Sequence, residues 1–255
     1  MPDTTTRPAI VFIHGMWCGP EVFTPYAGFF RRLGYECHTP ALRYHDRSDN
    51  LSAALGQTSL LDYAADLEAF IRSLPGKPVV IGHSMGGLLA QMLCARDLVQ
   101  KAVLLCPAAP AGIHALTPSV VRSFAGVMLH WGFWNKPNRL SEAAARYALF
   151  NRMPAQAVQQ AYRQMRYESG RAAFETGFWL IDRHHASAVD AGRVKQPLLL
   201  ISGAEDHITP ASVQRRIARR YPQTEYRCYA AHAHWLIAEP GWESIAQDIA
   251  DWLAS

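Results

Sequence analysis

The run Val79-Val80-Ile81-Gly82-His83-Ser84-Met85-Gly86-Gly87 sets a serine between a strand-forming and a helix-forming sequence. Val79, Val80 and Ile81 are β-branched and apolar, the composition of a strand buried on both faces. After Gly87, Leu88-Leu89-Ala90-Gln91-Met92-Leu93 favours helix. Strand, tight turn and helix around G-x-S-x-G predict a nucleophile elbow, a strained turn that projects the serine hydroxyl outward. The residues two before and two after such a serine must be small, and both are glycine, Gly82 and Gly86. The helix that follows aims its first N–H groups and positive dipole end at the reaction site. A plain Gly-rich connection between strand and helix is the alternative reading, and the flanking sequence argues against it.

The rest of the chain supplies strands for Ser84 to work beside. Short apolar runs at 9–13 and 102–106 read as buried strands, 35–39 is a further strand candidate, and helical spacing at 21–33 and 60–74 separates them. This alternation specifies a parallel sheet with crossover helices. It stops after Pro110. From 111 to 189 no convincing strand appears, only helical stretches rich in large apolar residues. Strand 197–202, helix 211–221, strand 224–230 and helix 242–253 then resume the pattern. The predicted fold class is α/β, a mostly parallel doubly wound sheet in one domain, with core segments 1–110 and 190–255 and a helical insertion at 111–189.

Composition narrows the function. With 49% hydrophobic and 18% charged residues among 255, a sizeable core is expected and disorder is not. The formal charge of +4 is mild. Its densest basic run, Arg215-Arg216-Ile217-Ala218-Arg219-Arg220, reads as a solvated helix face, so no nucleic-acid partner is expected. Residues 1–8 lack a basic-then-apolar leader and no run is long enough to cross a bilayer, which predicts a cytoplasmic protein without stable membrane insertion. The five cysteines show no C-x-x-C spacing, so neither a metal site nor a disulfide framework is expected. Cys37, Cys106 and Cys228, in or at the end of predicted strands, read as small buried hydrophobes.

A serine hydroxyl needs a base, and the base needs an orienting group. Both must leave the carboxyl ends of other strands, the edge where Ser84 emerges. The loop after 197–202 carries Glu205 and Asp206, either of which could be the acid. The loop after 224–230 carries His232 and His234. His234 precedes Trp235-Leu236-Ile237-Ala238-Glu239-Pro240, a short apolar turn into the last helix, which fixes an imidazole better than the freer position 232. The order serine, acid, histidine is the one nucleophile-elbow hydrolases use. An oxyanion needs donors. The Met85 N–H is one candidate and the Met16 N–H, just past His14-Gly15, the other, with Trp17 as the alternative. His14 reads as a residue that shapes this loop.

These motifs together resemble the α/β-hydrolase superfamily, in its group of esterases, lipases and lysophospholipase-like enzymes with a helical cap. The residues carrying the resemblance are His14-Gly15, the elbow Gly82 to Gly87, Gly203 with Asp206 and Pro210, and His234 with Glu239-Pro240. They span roughly 8–110 and 193–254. The family's two leading strands are not expected in this sequence, which starts almost at the strand before His14.

The resemblance implies a triad of Ser84, Asp206 and His234, with Asp206 preferred to Glu205, and no cofactor or metal. It implies a lid at 111–189 over Ser84, whose aromatic and methionine side chains would form an apolar acyl or ring pocket. Trp17, Trp131, Trp134, Phe178 and Trp179 are the candidate substrate-binding side chains, although each could instead pack the lid onto the sheet. Arg163, Arg166 and Glu168 could hold a polar substrate end or form a solvated face. The expected activity is hydrolysis of carboxylic esters, medium-chain or aromatic, through an acyl-enzyme. Thioester or lactone cleavage would use the same parts, and cofactor-free C–C hydrolysis or ring-cleaving dioxygenation would rely more on His234. A small-molecule ester is the expected partner, and a homodimer is compatible with the sequence.

Overall fold

The computed structural model describes residues 7–46 and 52–255. The apolar runs form one six-stranded sheet from β1 (Ile10–Ile13), β2 (Cys37–His38), β3 (Val79–His83), β4 (Lys101–Leu105), β5 (Leu198–Gly203) and β6 (Thr224–Tyr229). The strand order is β2-β1-β3-β4-β5-β6. Every pairing is parallel, so all the carboxyl ends share one edge. β1, β3 and β5 are buried along their whole length, as a parallel sheet covered on both faces requires.

The edges of the sheet depart from the sequence reading. The second strand is only Cys37–His38, and Pro40, which has no N–H, follows shortly after. β6 lies at the other edge, half open to solvent, so Cys228 is exposed and is not the buried hydrophobe expected of it. The first helical stretch divides at Pro25 into a 3-10 turn, Pro20–Phe23, and α1 (Thr24–Arg32). Gly34, at φ +84°, closes α1 as a left-handed cap.

A one-turn helix, α2 (Ala53–Gly56), has no counterpart in the sequence reading. α3 (Leu60–Arg72) starts on a capping box made by Ser59 and Asp62. α4 (Met85–Ala95) leaves β3 directly. The amino-terminal leader reading falls, at positions 1–6, outside the described residues.

Between β4 and β5 lie α5 (Pro118–Met128), α6 (Glu142–Ala148), α7 (Ala155–Gln164) and α8 (Gly170–Gly177). The only extended pairing there, among the described residues, is a single bridge between Asn138 and Glu168. The two ends of this segment adjoin. The Ala111 N–H donates to Ser187 O at 3.0 Å. Arg220, on α9 (Ala211–Arg220), donates to Ala111 O at 3.1 Å and Val189 O at 2.8 Å. The other arginines of that run, Arg215, Arg216 and Arg219, face solvent as expected. α10 (Trp242–Ala254) closes the fold, burying Ile245, Ile249 and Trp252. No helix among the described residues is long and apolar enough to cross a membrane.

Two buried glutamates fasten the helical segment to the sheet layer. Glu175 accepts hydrogen bonds from the Leu60 N–H at 2.8 Å and from Ser59 Oγ at 2.9 Å, placing negative charge at the amino end of α3. Glu168 accepts from Tyr63 Oη at 2.8 Å and faces His45 Nε2 at 3.2 Å, with both His45 and Glu168 at zero exposure. His45 Nδ1 lies 3.0 Å from Arg43 O. Both ring nitrogens therefore face acceptors, which favours the doubly protonated imidazole. Burial works against that charge, but the Glu168 carboxylate and the two hydrogen bonds prevail and raise the His45 pKa. Arg166 pairs with Glu21 at 2.7 Å and bonds the His45 carbonyl. Arg166 and Glu168 thus belong to this clasp and not to a polar substrate end.

Candidate active site

The parallel sheet brings the loops after β1, β3, β4, β5 and β6 to one edge, and the predicted residues sit on them. Ser84 adopts φ +54° and ψ −119°, a strained conformation for a residue with a side chain. Its backbone is held on three sides, by Ser84 N to Leu105 O at 2.9 Å, Gly87 N to Ser84 O at 2.9 Å and Ala108 N to Ser84 O at 2.8 Å. A side chain at Gly82 would run into the Gly86 carbonyl, and one at Gly86 into Ile13 O. The elbow exists because both are glycine.

Asp206 and His234 meet across 28 residues of sequence, with His234 Nδ1 donating to Asp206 Oδ2 at 2.8 Å. Asp206 Oδ1 accepts from the backbone N–H groups of Ile208 and Thr209, both at 2.8 Å. Burial alone would raise the Asp206 carboxyl, but the His234 charge, its hydrogen bond and those from Thr209 hold the pKa at about 2. Glu205 is exposed, 3.6 Å from Arg152, and takes no part. His232 faces Glu239 at 3.1 Å. With Nδ1 of His234 committed to Asp206, Nε2 is the nitrogen left to move a proton.

Residues that the sequence reading did not assign to the site hold this pair in place. Thr209 Oγ1 donates to Asp206 Oδ2 at 2.7 Å and lies 3.2 Å from His234 Nδ1. Glu239 accepts from the Ala233 N–H at 2.9 Å and the Trp235 N–H at 3.1 Å, gripping the histidine loop on both sides of His234. His83 Nε2 donates to His234 O at 2.9 Å. Burial, then the neighbouring His234, lower the His83 pKa to about 3, so its ring is neutral. The spacing D-x-x-T at 206–209 was the available signal for Thr209, since Asp side chains accept from backbone two and three residues on.

The loop after β1 presses on the elbow. A Cβ on Gly15 would stand 2.8 Å from Ser84 Cβ. His14 Nδ1 donates to Gly15 O at 2.9 Å and its Nε2 accepts from the Leu42 N–H at 3.2 Å. Burial, then His45, lower its pKa to about 3, consistent with a neutral ring that shapes the loop. Met16 follows, and Met85 is the first residue of α4, where the helix itself offers its N–H no acceptor.

Met16, Met85 and Ser84 line a cavity of about 260 Å³, together with Phe124 and Met128 from α5 and Phe178. Trp17 and Trp179 line it as well. Trp131 and Trp134 do not, which corrects the sequence reading. Trp131 is 85% exposed, and its ring meets Trp134 edge-on at 5.1 Å, while Trp134 packs on Phe133. Both lie past the carboxyl end of α5, Trp131 in solvent and Trp134 half-buried against the core.

Cys106 Sγ, the Asp206 carboxylate and the His234 imidazole lie within 4.8 Å of one another. Burial, then Asp206, push the Cys106 thiol well above its usual pKa, and it serves there as a neutral packing group.

A family model described as the alpha/beta hydrolase fold matches residues 8–240. The chain belongs to this family. Among curated relatives of this α/β hydrolase, the pimeloyl-[acyl-carrier protein] methyl ester esterase of Aromatoleum aromaticum is 29% identical over 235 residues, covering 85% of this chain and 86% of the relative. The sn-1-specific diacylglycerol lipase ABHD11 of Mus musculus is 25% identical, covering 91% and 76%. Among solved structures, the methylesterase MES16 from Arabidopsis superposes with a TM-score of 0.72 at 14% identity, covering 97% of this chain and 99% of that one. That likeness concerns the fold. The hydrolase assignment rests on the family match and the esterase-type relatives.

Proposed function

We propose that this α/β hydrolase cleaves carboxylic esters of medium-chain or aromatic acids through an acyl-enzyme. The observation that carries the reading is the His234–Asp206 pair at 2.8 Å, on the same sheet edge as Ser84 at its strained turn. Ser84 Oγ attacks the ester carbonyl as His234 takes its proton. The Met16 and Met85 N–H groups hold the oxyanion, and the Ser84–acyl bond forms as His234 returns the proton to the leaving alcohol. Water, deprotonated by His234, then releases the acid. Residues 111–189 act as a cap on the core formed by 1–110 and 190–255, and the apolar cavity under that cap receives the acyl group. The two esterase-type relatives agree with this chemistry.

The test is a series of p-nitrophenyl esters from acetate to palmitate. Hexanoate and phenylacyl esters are expected to have higher kcat/KM than acetate, and a profile that favours acetate refutes the pocket. Absence of hydrolysis across the series refutes the ester reading. Gly15→Ala is expected to push the Met16 loop off Ser84 and lower kcat/KM by about 10- to 100-fold. An unchanged rate in a folded variant removes Met16 from the oxyanion site.

A further inference from the structure

Among the described residues, the six most exposed large apolar side chains all stand on the segment between β4 and β5. They are Leu116, Val121, Leu129, Trp131, Leu180 and Ile181, at 46% to 85% exposure. Four of them, Leu116, Val121, Leu180 and Ile181, also line the cavity that ends at Ser84, so they stand at its mouth. Leu129 and Trp131 stand at and just past the carboxyl end of α5. Exposed apolar side chains gathered around a cavity mouth mark an interaction surface.

The stretch of chain that carries α5 has charge of one sign. No Asp or Glu occurs from position 98 to position 141. Asp182, next in sequence to Ile181, is buried and accepts from the N–H groups of His184 at 2.9 Å and Ala186 at 2.7 Å. Arg122, whose guanidinium lies over the Tyr147 ring at 4.0 Å, Lys136, which donates to Trp131 O at 3.3 Å, and Arg183, near Ile181 in sequence, are exposed. These cations set two copies of the face against each other by like-charge repulsion. Apolar tips with a Trp among them and cations between suit an anionic headgroup layer, where the tips enter the acyl boundary and the cations meet phosphate.

We propose that this face docks reversibly on an anionic lipid surface, with the cavity mouth turned toward the bilayer. The inference concerns where the protein sits and does not rest on the ester reading. It is tested with the full chain by flotation with vesicles of phosphatidylcholine alone and of phosphatidylcholine mixed with phosphatidylglycerol. The wild type is expected to float with the mixed vesicles, to lose that binding in high salt, and to float poorly with phosphatidylcholine alone.

The double variant Arg122→Glu/Lys136→Glu is expected to lower the bound fraction at least about tenfold, and Leu129→Ser/Trp131→Ser similarly. Both keep the wild-type Tm and the rate on a soluble ester, because none of the four side chains lines the cavity. Wild type that does not float with either vesicle overturns the proposal, as does equal flotation with both. A concentration-dependent dimer without flotation, dissolved by the same variants, assigns the face to a second copy and also overturns it.

Discussion

Ser84→Ala is expected to lower kcat/KM for a p-nitrophenyl ester by about a thousand- to a millionfold, with the thermal midpoint unchanged. Ser84 owes its placement to backbone bonds and to the two glycines around it, none of which involve its hydroxyl. The loss would therefore be chemical and not structural. A fluorophosphonate probe should label the wild type once and the variant not at all. Asp206→Asn is expected to cost about 10⁴-fold, because an amide facing His234 Nδ1 selects the wrong tautomer. Asp206 is held at a pKa of about 2, so a fall in rate on mild acidification would arise from another group. If Ser84→Ala retains most of the rate, the acyl-enzyme is abandoned in favour of chemistry that depends on His234 alone.

The second large effect concerns stability. Glu168→Leu leaves His45, Tyr63 Oη and the Ser169 N–H without their shared partner in a dry interior. Removing one member of a buried ion pair costs about 3–5 kcal/mol. The cost should depend on pH. His45 has a folded pKa above its ordinary value of 6.5, so the pair contributes fully below that value. Its contribution is lost as pH rises through the raised folded pKa. Urea unfolding midpoints for wild type and variant should differ most on the acid side and converge toward alkaline pH. A loss under about 1 kcal/mol at every pH, the size of an average surface change, would mean the pair does not fasten the segment.

The strands were readable because a parallel sheet covered on both faces turns each strand into a continuous apolar run, as in Ile10–Ile13 and Leu198–Gly203. The elbow was readable because its backbone admits only glycine at 82 and 86. The positions of Asp206 and His234 were readable to within a neighbour, since each follows a strand end. Choosing Asp206 over Glu205 drew on the family resemblance, and the structure pairs Asp206 with His234. Cys228 was misread because hydrophobicity alone does not distinguish an edge strand from a central one.

The aromatic residues of the helical segment were harder. Trp131 and Phe178 look alike in sequence, and only the mutual placement of the helices puts one outside and the other in the cavity. The His45–Glu168 pair left no pattern at all, because its members lie 123 residues apart and each is an isolated polar residue.

β4 and β5 are direct neighbours in the sheet, and the excursion between them starts and ends at one hydrogen bond, Ala111 to Ser187. The chain thus departs from one track and returns on the adjacent one, whatever it does in between. Loop closure costs little more for a long detour than for a short one. The segment can therefore be lengthened, shortened or exchanged for another without moving a strand end. A scaffold wired this way leaves the strand ends in register whatever the segment becomes, and a graft between Ala111 and Ser187 is where that freedom would be used.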